Sequence, residues 1–166
     1  MIINPGIGFG TARHPTTVLS MQALERCIRG NEAVLDFGSG SGILSITSYM
    51  LGASEAIGIE TDAASIENAR ENLELNDIES GIEFYEKLGA IEGSKFGIVV
   101  CNIDFKTISR LIDRLKEHLI ADGIMILSGL ESNEEDKITE LLAENGISIL
   151  NWAECDGWIA IEGRAI

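Results

Sequence analysis

Proline is scarce in this chain: Pro5 and Pro15 are the only two in 166 residues, and both lie in the opening MIINPGIGFGTARHPTT. Pro5, Gly6, Gly8 and Gly10 leave that opening without an unbroken apolar core. A secretory signal is therefore not expected here, and the stretch reads as a shaped loop of the mature protein. Cysteine is scarce too. Cys27, Cys101 and Cys155 are odd in number, far apart and without a CxxC pair, which argues against a disulfide framework or a zinc site and for a reducing, cytoplasmic setting. No metal ligands are expected. Basic residues are outnumbered, 12 Lys and Arg against 27 Asp and Glu, and the net charge of -15 repels phosphate backbones. Nucleic acid is therefore not an expected partner, whereas basic proteins, amines and neutral small molecules are compatible. No stretch reaches the roughly eighteen uninterrupted apolar residues that a membrane span needs, so no membrane partner is expected either. Internal repeats, low-complexity tracts and interdomain linkers are absent.

What is present is an alternation of strand-like apolar runs with longer amphipathic stretches, in a chain with the length of one domain, 1–166, and 45% apolar residues. The alternation predicts an α/β fold, a mostly parallel sheet with helices on both faces. Thr16 or Thr17 is expected to cap a first helix reaching Ile28, with Val18, Met21, Leu24, Cys27 and Ile28 along one side. Strands are expected at 33–37, 55–60, 81–85, 96–102 and 123–129. Helices are expected at 43–51, 63–75 and about 107–120, with a last one reaching about residue 144 from an acidic first turn capped by Ser132 or Asn133. Residues 86–95 leave room only for a turn or partial helix. Runs 147–154 and 157–163, parted by Cys155 and Asp156, predict an antiparallel hairpin. Trp152 and Trp158 on that hairpin read as core or interface, and Cys101 inside an apolar strand reads as packing.

VLDFGSGSG, residues 34–42, joins a buried strand to an apolar helix through three alternate glycines. Glycine lets the backbone turn tightly and approach a ligand, and the helix start offers free amides, which is the arrangement of a nucleotide-binding turn. After Gly38 and Gly40 the third glycine comes at 42, which breaks the GxGxxG spacing of a dinucleotide site, and no GK[ST] follows. That spacing disfavours a nicotinamide-dependent oxidoreductase. Glu60 closes the second strand eighteen residues beyond Gly42, where such folds hold a ribose-binding acid. The other reading of Glu60 is a solvated strand end.

Together, DFGSGSG, GIETD, CNI and the terminal strand pair resemble a class I S-adenosylmethionine-dependent methyltransferase. That resemblance implies a Rossmann-like, mostly parallel seven-stranded sheet with a C-terminal antiparallel hairpin. NPGIGFGTARHPTT is similar to the segment DPGLAFGTGTHPTT of the PrmA family, which methylates amino groups of a large-subunit ribosomal protein. The similarity runs from about Asn4 to Gly163. It implies S-adenosyl-L-methionine as cofactor, with Thr17, Asp36, Gly38, Gly40, Glu60 and Asn102 as its binding residues. It also implies that residues 1–17 form a lid-like segment over the methionine end, with Phe9 and His14 near the transferred methyl. His14 and Asn102 are then the catalytic candidates; His14 is either a proton acceptor or a helix-start histidine bonded to backbone. Ala12, Arg13, Ser39, Glu60 and Asp104 depart from the family pattern. The change of acid at Glu60 keeps its chemistry, while Arg13 and Asp104 alter the acceptor side. Asn102 is not followed by prolines, so the NPPY signature for planar nitrogens is absent. The expected acceptor is an amine on a protein or a small molecule. The residues begin at the lid, without a counterpart of the family's N-terminal recognition domain, which leaves room for a separate substrate-recognition subunit as partner. A noncatalytic S-adenosylmethionine-binding subunit stands as the alternative.

Overall fold

The structure, a computed structural model, describes residues 1–6 and 13–166. Its strands are β1 (Ala33–Phe37), β2 (Glu55–Ile59), β3 (Ile82–Tyr85), β4 (Phe96–Asn102), β5 (Leu119–Glu131), β6 (Ile147–Cys155) and β7 (Trp158–Ala165). Its helices are α1 (Pro15–Cys27), α2 (Ile43–Met50), α3 (Ala63–Glu74), α4 (Phe105–Glu117) and α5 (Glu135–Glu144). The seven strands form one sheet in the order β3-β2-β1-β4-β5-β7-β6. β1 to β5 are parallel, and β7 runs antiparallel to both β5 and β6.

Alternate residues of a strand face opposite sides of the sheet. In β4, Ile98 and Val100 pack with Leu24, Ile46 and Ile66 of α1, α2 and α3, whereas Val99 and Cys101 pack with Ile108, Ile112 and Ile138 of α4 and α5. Helices therefore cover both faces, as parallel sheets require. The chain moves outward from β1 through β2 to β3, then returns to β4 on the other side of β1. That reversal opens a crevice at the carboxyl ends of β1 and β4.

Element ends differ from the expectations where side chains supply unforeseen caps. Pro15 takes the first position of α1, where its missing N–H is not needed. His14, not Thr16 or Thr17, is the cap: its Nδ1 accepts from the Thr16 N–H at 3.4 Å and lies 2.8 Å from Thr16 Oγ1. The inward side of α1 runs through Thr16, Ser20, Ala23 and Leu24, leaving Val18 and Met21 half-buried. Ser20 can lie inside because its hydroxyl bonds the Thr16 carbonyl at 2.8 Å. α4 begins at Phe105 behind its Asp104 cap and ends at Glu117, short of the expected Ile120, because the His118 carbonyl accepts from the Phe96 N–H at 2.8 Å. Neither Ser132 nor Asn133 caps α5. A 3-10 turn, Ser132–Glu134, precedes it, and Glu131 and Glu134 exchange bonds as a capping box. The residues parting β6 from β7 are Asp156 and Gly157, at φ 51° and 79°, the left-handed pair that an Asp-Gly hairpin turn favours. Residues 86–95 hold one 3-10 turn, Leu88–Ile91. No helix among the described residues is long and apolar enough to cross a membrane.

Candidate functional site

A cavity of about 640 Å³ opens at the carboxyl ends of β1, β2 and β4. Open α/β sheets take ligands at such a topological switch point, and the volume lies in the range of small-molecule sites. Residues 38–40, directly after β1, form part of its wall. Gly38 stands at φ 78°, where glycine is at ease, and a Cβ there would come within 2.7 Å of Ile103 Cγ2. The N–H groups of Gly38 and Ser39 donate to the Ile59 carbonyl at 2.8 and 3.1 Å. That clamp brings the loop against the end of β2, where Glu60 follows.

Glu60 is a half-buried wall of the cavity rather than a freely solvated strand end. Its Oε2 accepts from the Gly40 N–H at 3.1 Å, and its Oε1 accepts from the N–H groups of Thr61 and Asp62 at 2.7 and 3.0 Å. Backbone amides thus orient the carboxylate, and Oε2, with one donor, keeps capacity for another. Across the cavity, Asn102 at the end of β4 donates from Nδ2 to Thr17 Oγ1 at 3.4 Å. Both residues line the cavity, and Thr17 is fully buried. The threonine hydroxyl steadies the amide while Oδ1 remains as an acceptor.

Two of the expected site residues lie elsewhere. Asp36 is enclosed in β1 and is not part of the cavity wall. Its Oδ2 accepts from the Ser45 N–H and hydroxyl at 2.9 and 2.7 Å, tying α2 to the sheet, and burial raises its pKa from 3.8 to about 6. His14 also stands outside the cavity lining; its ring packs edge-on against Trp158 with centroids 4.9 Å apart. Nδ1 is engaged at the start of α1, beside the Thr16 N–H and hydroxyl. Phe9 and Ala12 lie outside the described residues, as does the rest of 7–12, while Arg13 is exposed.

Trp158 and Gly129 line the cavity, a role the sequence reading did not assign them. The start of an antiparallel strand lies at the same sheet edge as the ends of its parallel neighbours, so Trp158, first residue of β7, reaches the crevice. Gly129 stands at φ 80°, and a Cβ there would meet the Ile103 carbonyl oxygen at 2.6 Å. The LSG ending of the strand was the readable sign, since it repeats the strand-to-glycine step at Gly38. Asp104 lines the cavity while capping α4, and bonds from the Thr107 hydroxyl and N–H hold its carboxyl below the usual range. Burial pushes the thiols of Cys27, to about 12, and Cys101 upward, so neither is a nucleophile. Among the described residues, no three His, Cys, Asp or Glu side chains converge as a metal site.

The family model for ribosomal protein L11 methyltransferase (PrmA) matches residues 1–165. The chain belongs to the PrmA family. A ribosomal protein L11 methyltransferase of Halalkalibacterium halodurans is 37% identical over 161 residues, which are 96% of this PrmA-family chain and 51% of that protein. One from Dictyoglomus turgidum is 38% identical over 161 residues, 96% of this chain and 53% of that protein. The chain therefore spans about half the length of these relatives. A crystal structure of ribosomal protein L11 methylase from Lactobacillus delbrueckii subsp. bulgaricus matches with a TM-score of 0.91 at 35% identity, over 99% of this chain and 84% of that one. A precorrin-6y C5,15-methyltransferase from Geobacter metallireducens shares the fold, with a TM-score of 0.76 at 17% identity, over 94% of this chain and 93% of that one. The fold is the Rossmann-like fold of class I S-adenosylmethionine-dependent methyltransferases, and the PrmA resemblance carried by NPGIGFGTARHPTT and DFGSGSG is borne out.

Proposed function

We propose that this PrmA-family chain is an S-adenosylmethionine-dependent methyltransferase acting on an amino nitrogen of a protein. The observation that carries this reading is the meeting of the side-chain-free Gly38, the Gly40 amide and the amide-oriented Glu60 carboxylate in one cavity, with Asn102 and Trp158 in the same wall. The residues fit the cofactor. Phe37, Ile43, Leu44 and Ile59 supply apolar walls for a flat base, and the cavity of about 640 Å³ has room for the ribose and amino-acid tail. Ser39 Oγ, buried without a partner among the described residues, is a further polar atom in the glycine loop. Glu60 is proposed to take the ribose hydroxyls, and the glycine loop the amino-acid tail.

When bound, the cofactor supplies a methyl group already activated by a positive sulfur. The chain's own contribution is positioning and the exclusion of water. Asn102 Oδ1, steadied through Nδ2 by Thr17, is proposed to accept an N–H of the incoming amine and so turn its lone pair toward the cavity. An ammonium must lose its proton before it can attack. We assign that proton to water at the cavity mouth, and give His14 the work of capping α1 and bracing Trp158.

The names of the relatives make ribosomal protein L11 the first acceptor to test, and the net charge of -15 suits a basic protein in the cytoplasm. Because the chain spans about half of those relatives, acceptor recognition beyond the cavity mouth is proposed to come from a surface outside these residues, a separate recognition subunit being one form of it. Calorimetric titration with S-adenosylhomocysteine tests the site: the parent binds, and Glu60→Ala weakens binding by about tenfold or more through lost charge-assisted hydrogen bonds. Equal affinity in the variant overturns the ribose assignment. Transfer of labelled methyl from S-adenosylmethionine to ribosomal protein L11 tests the activity. Cofactor binding with no transfer to that protein, or to anything in a cell extract, would favour a noncatalytic binding subunit.

A further inference from the structure

Residues 2–4 run antiparallel to α3 against a row of asparagines. Asn68 and Asn72 of α3, and Asn76 in the turn just past its Leu75 cap, are spaced four apart and follow one side of the helix, with a rise of about 6 Å between the two helical ones. An extended chain presents same-side N–H and C=O groups every two residues, about 6.6 Å apart. The two repeats nearly coincide. Asn76 accordingly accepts from the Ile2 N–H at 2.8 Å and donates to the Ile2 carbonyl at 2.6 Å. Asn72 treats Asn4 the same way, at 2.7 and 3.0 Å. Asn68 adds a bond to the Asn4 carbonyl at 3.2 Å, and a Cβ at Gly6 would lie 2.7 Å from its Cγ, so the strap sits closely on the row. Side-chain amides here take the place of a neighbouring strand.

Asn72 has a second contact. Its Nδ2 also donates to the Ser41 carbonyl at 2.9 Å, inside the glycine loop and between Gly40 and Gly42. The side chain is wholly enclosed, with 0% exposure. Because an amide group is planar, the orientation that serves Asn4 also fixes where the Ser41 carbonyl is held. We propose that Asn72 is a positioning residue for the cofactor loop, and that docking of the Ile2–Asn4 strap and ligand binding at the loop are coupled through its amide. The ligand half of this rests on the function proposed above; the coupling of strap to loop does not. Such coupling is reciprocal, so a ligand at the loop tightens the strap by the factor with which the strap tightens the ligand.

The test uses Asn76→Ala in the full chain, because Asn76 bonds Ile2 and the Asn72 backbone carbonyl but not the loop. Amide hydrogen exchange is followed by NMR with and without S-adenosylhomocysteine. The variant is expected to speed exchange at Asn4 and also at Gly42 and Ser45, and to weaken S-adenosylhomocysteine by about threefold to tenfold, the range of one lost hydrogen bond. In an Asn72→Leu background the same change adds no further loss. Release of Asn4 with Gly42 and Ser45 at parent rates overturns the proposal, and so does an Asn4 that stays protected, since the row would then not hold the strap. If Asn72→Leu fails to fold, the exchange comparison in Asn76→Ala still decides. If the parent binds no S-adenosylhomocysteine, the proposed function fails by itself, and exchange at Gly42 and Ser45 still reads the coupling.

Discussion

Asp36 is enclosed in β1, and replacing it with asparagine separates its charge from its shape. In the parent, Oδ2 takes the Ser45 N–H at 2.9 Å and the Ser45 hydroxyl at 2.7 Å, while Oδ1 is buried without a partner among the described residues. The loss of water outweighs those two bonds, the Glu60 charge adds a smaller repulsion, and the pKa stands at about 6 against an ordinary 3.8. A group that holds its proton more tightly when folded favours the folded state while protonated. Its contribution is therefore fully present below pH 3.8 and is lost as the pH climbs through about 6. A shift of about two pKa units corresponds to about 3 kcal/mol across that window. Asp62 and Asp104, held low by bonds from Ser65 and Thr107, slope the other way and lose stability as the pH falls. Subtracting the two curves removes those opposing slopes. In urea unfolding between about pH 4 and pH 7, the stability of Asp36→Asn relative to the parent should rise by roughly 2 kcal/mol, the larger part of that total. A constant offset accompanies it, because the new amide N–H group is buried where Oδ1 has no partner among the described residues. A difference that stays flat across the window refutes the burial argument.

His14→Ala deletes the α1 cap and is expected to lower stability by about 1 kcal/mol, read as a fall in Tm, while affinity for S-adenosylhomocysteine stays near the parent's. A large loss of affinity would instead place His14 against the ligand. Thr17→Val keeps the side-chain shape but removes the hydroxyl that accepts from Asn102 Nδ2 at 3.4 Å. Methyl transfer should slow by about fivefold with little change in S-adenosylhomocysteine affinity, and an unchanged kcat would show that Asn102 needs no such support.

The sheet was readable because its parallel strands are buried on both faces and so stand out as apolar runs, as FGIVVCN does at β4. Glu60, Gly38 and Asn102 were readable for a related reason: each follows or ends such a run, and the ends of parallel strands share one edge. Asp36 lies outside the cavity wall, and its parity in the strand shows why. It shares a face with Val34, one step short of the loop, so it points toward α2 and answers the amide of Ser45 near that helix's start. Trp158 needed the direction of β7 to be combined with its position in the sheet, and neither fact is local. The asparagine row was less visible still. Its spacing is plain in the sequence, but its partner is a backbone stretch 64 to 74 residues away, whose N–H and C=O groups carry no residue-specific mark.

The HPTT tetrapeptide acquires a physical reason once the contacts of α1 are traced outward. His14 packs on Trp158 at the head of β7, the Thr16 carbonyl accepts from Ser128 Oγ in β5 at 3.2 Å, and Thr17 Oγ1 accepts from Asn102 at the end of β4 at 3.4 Å. One helix start thus touches three strands. Pro15 fixes φ at the first helical position and narrows the ways the turn can form, which matters because the following threonines must meet two strands at once. The far end of the helix is held as firmly. Arg26 pairs with the buried Glu162 of β7 at 2.7 Å, and Asn151 of β6 donates to the same carboxylate at 3.0 Å. A helix pinned at both ends has little freedom to slide along its axis, and a shift of one residue would carry Thr17 about 1.5 Å from Asn102. The position of the Asn102 amide is therefore set by a helix that precedes the whole sheet in sequence.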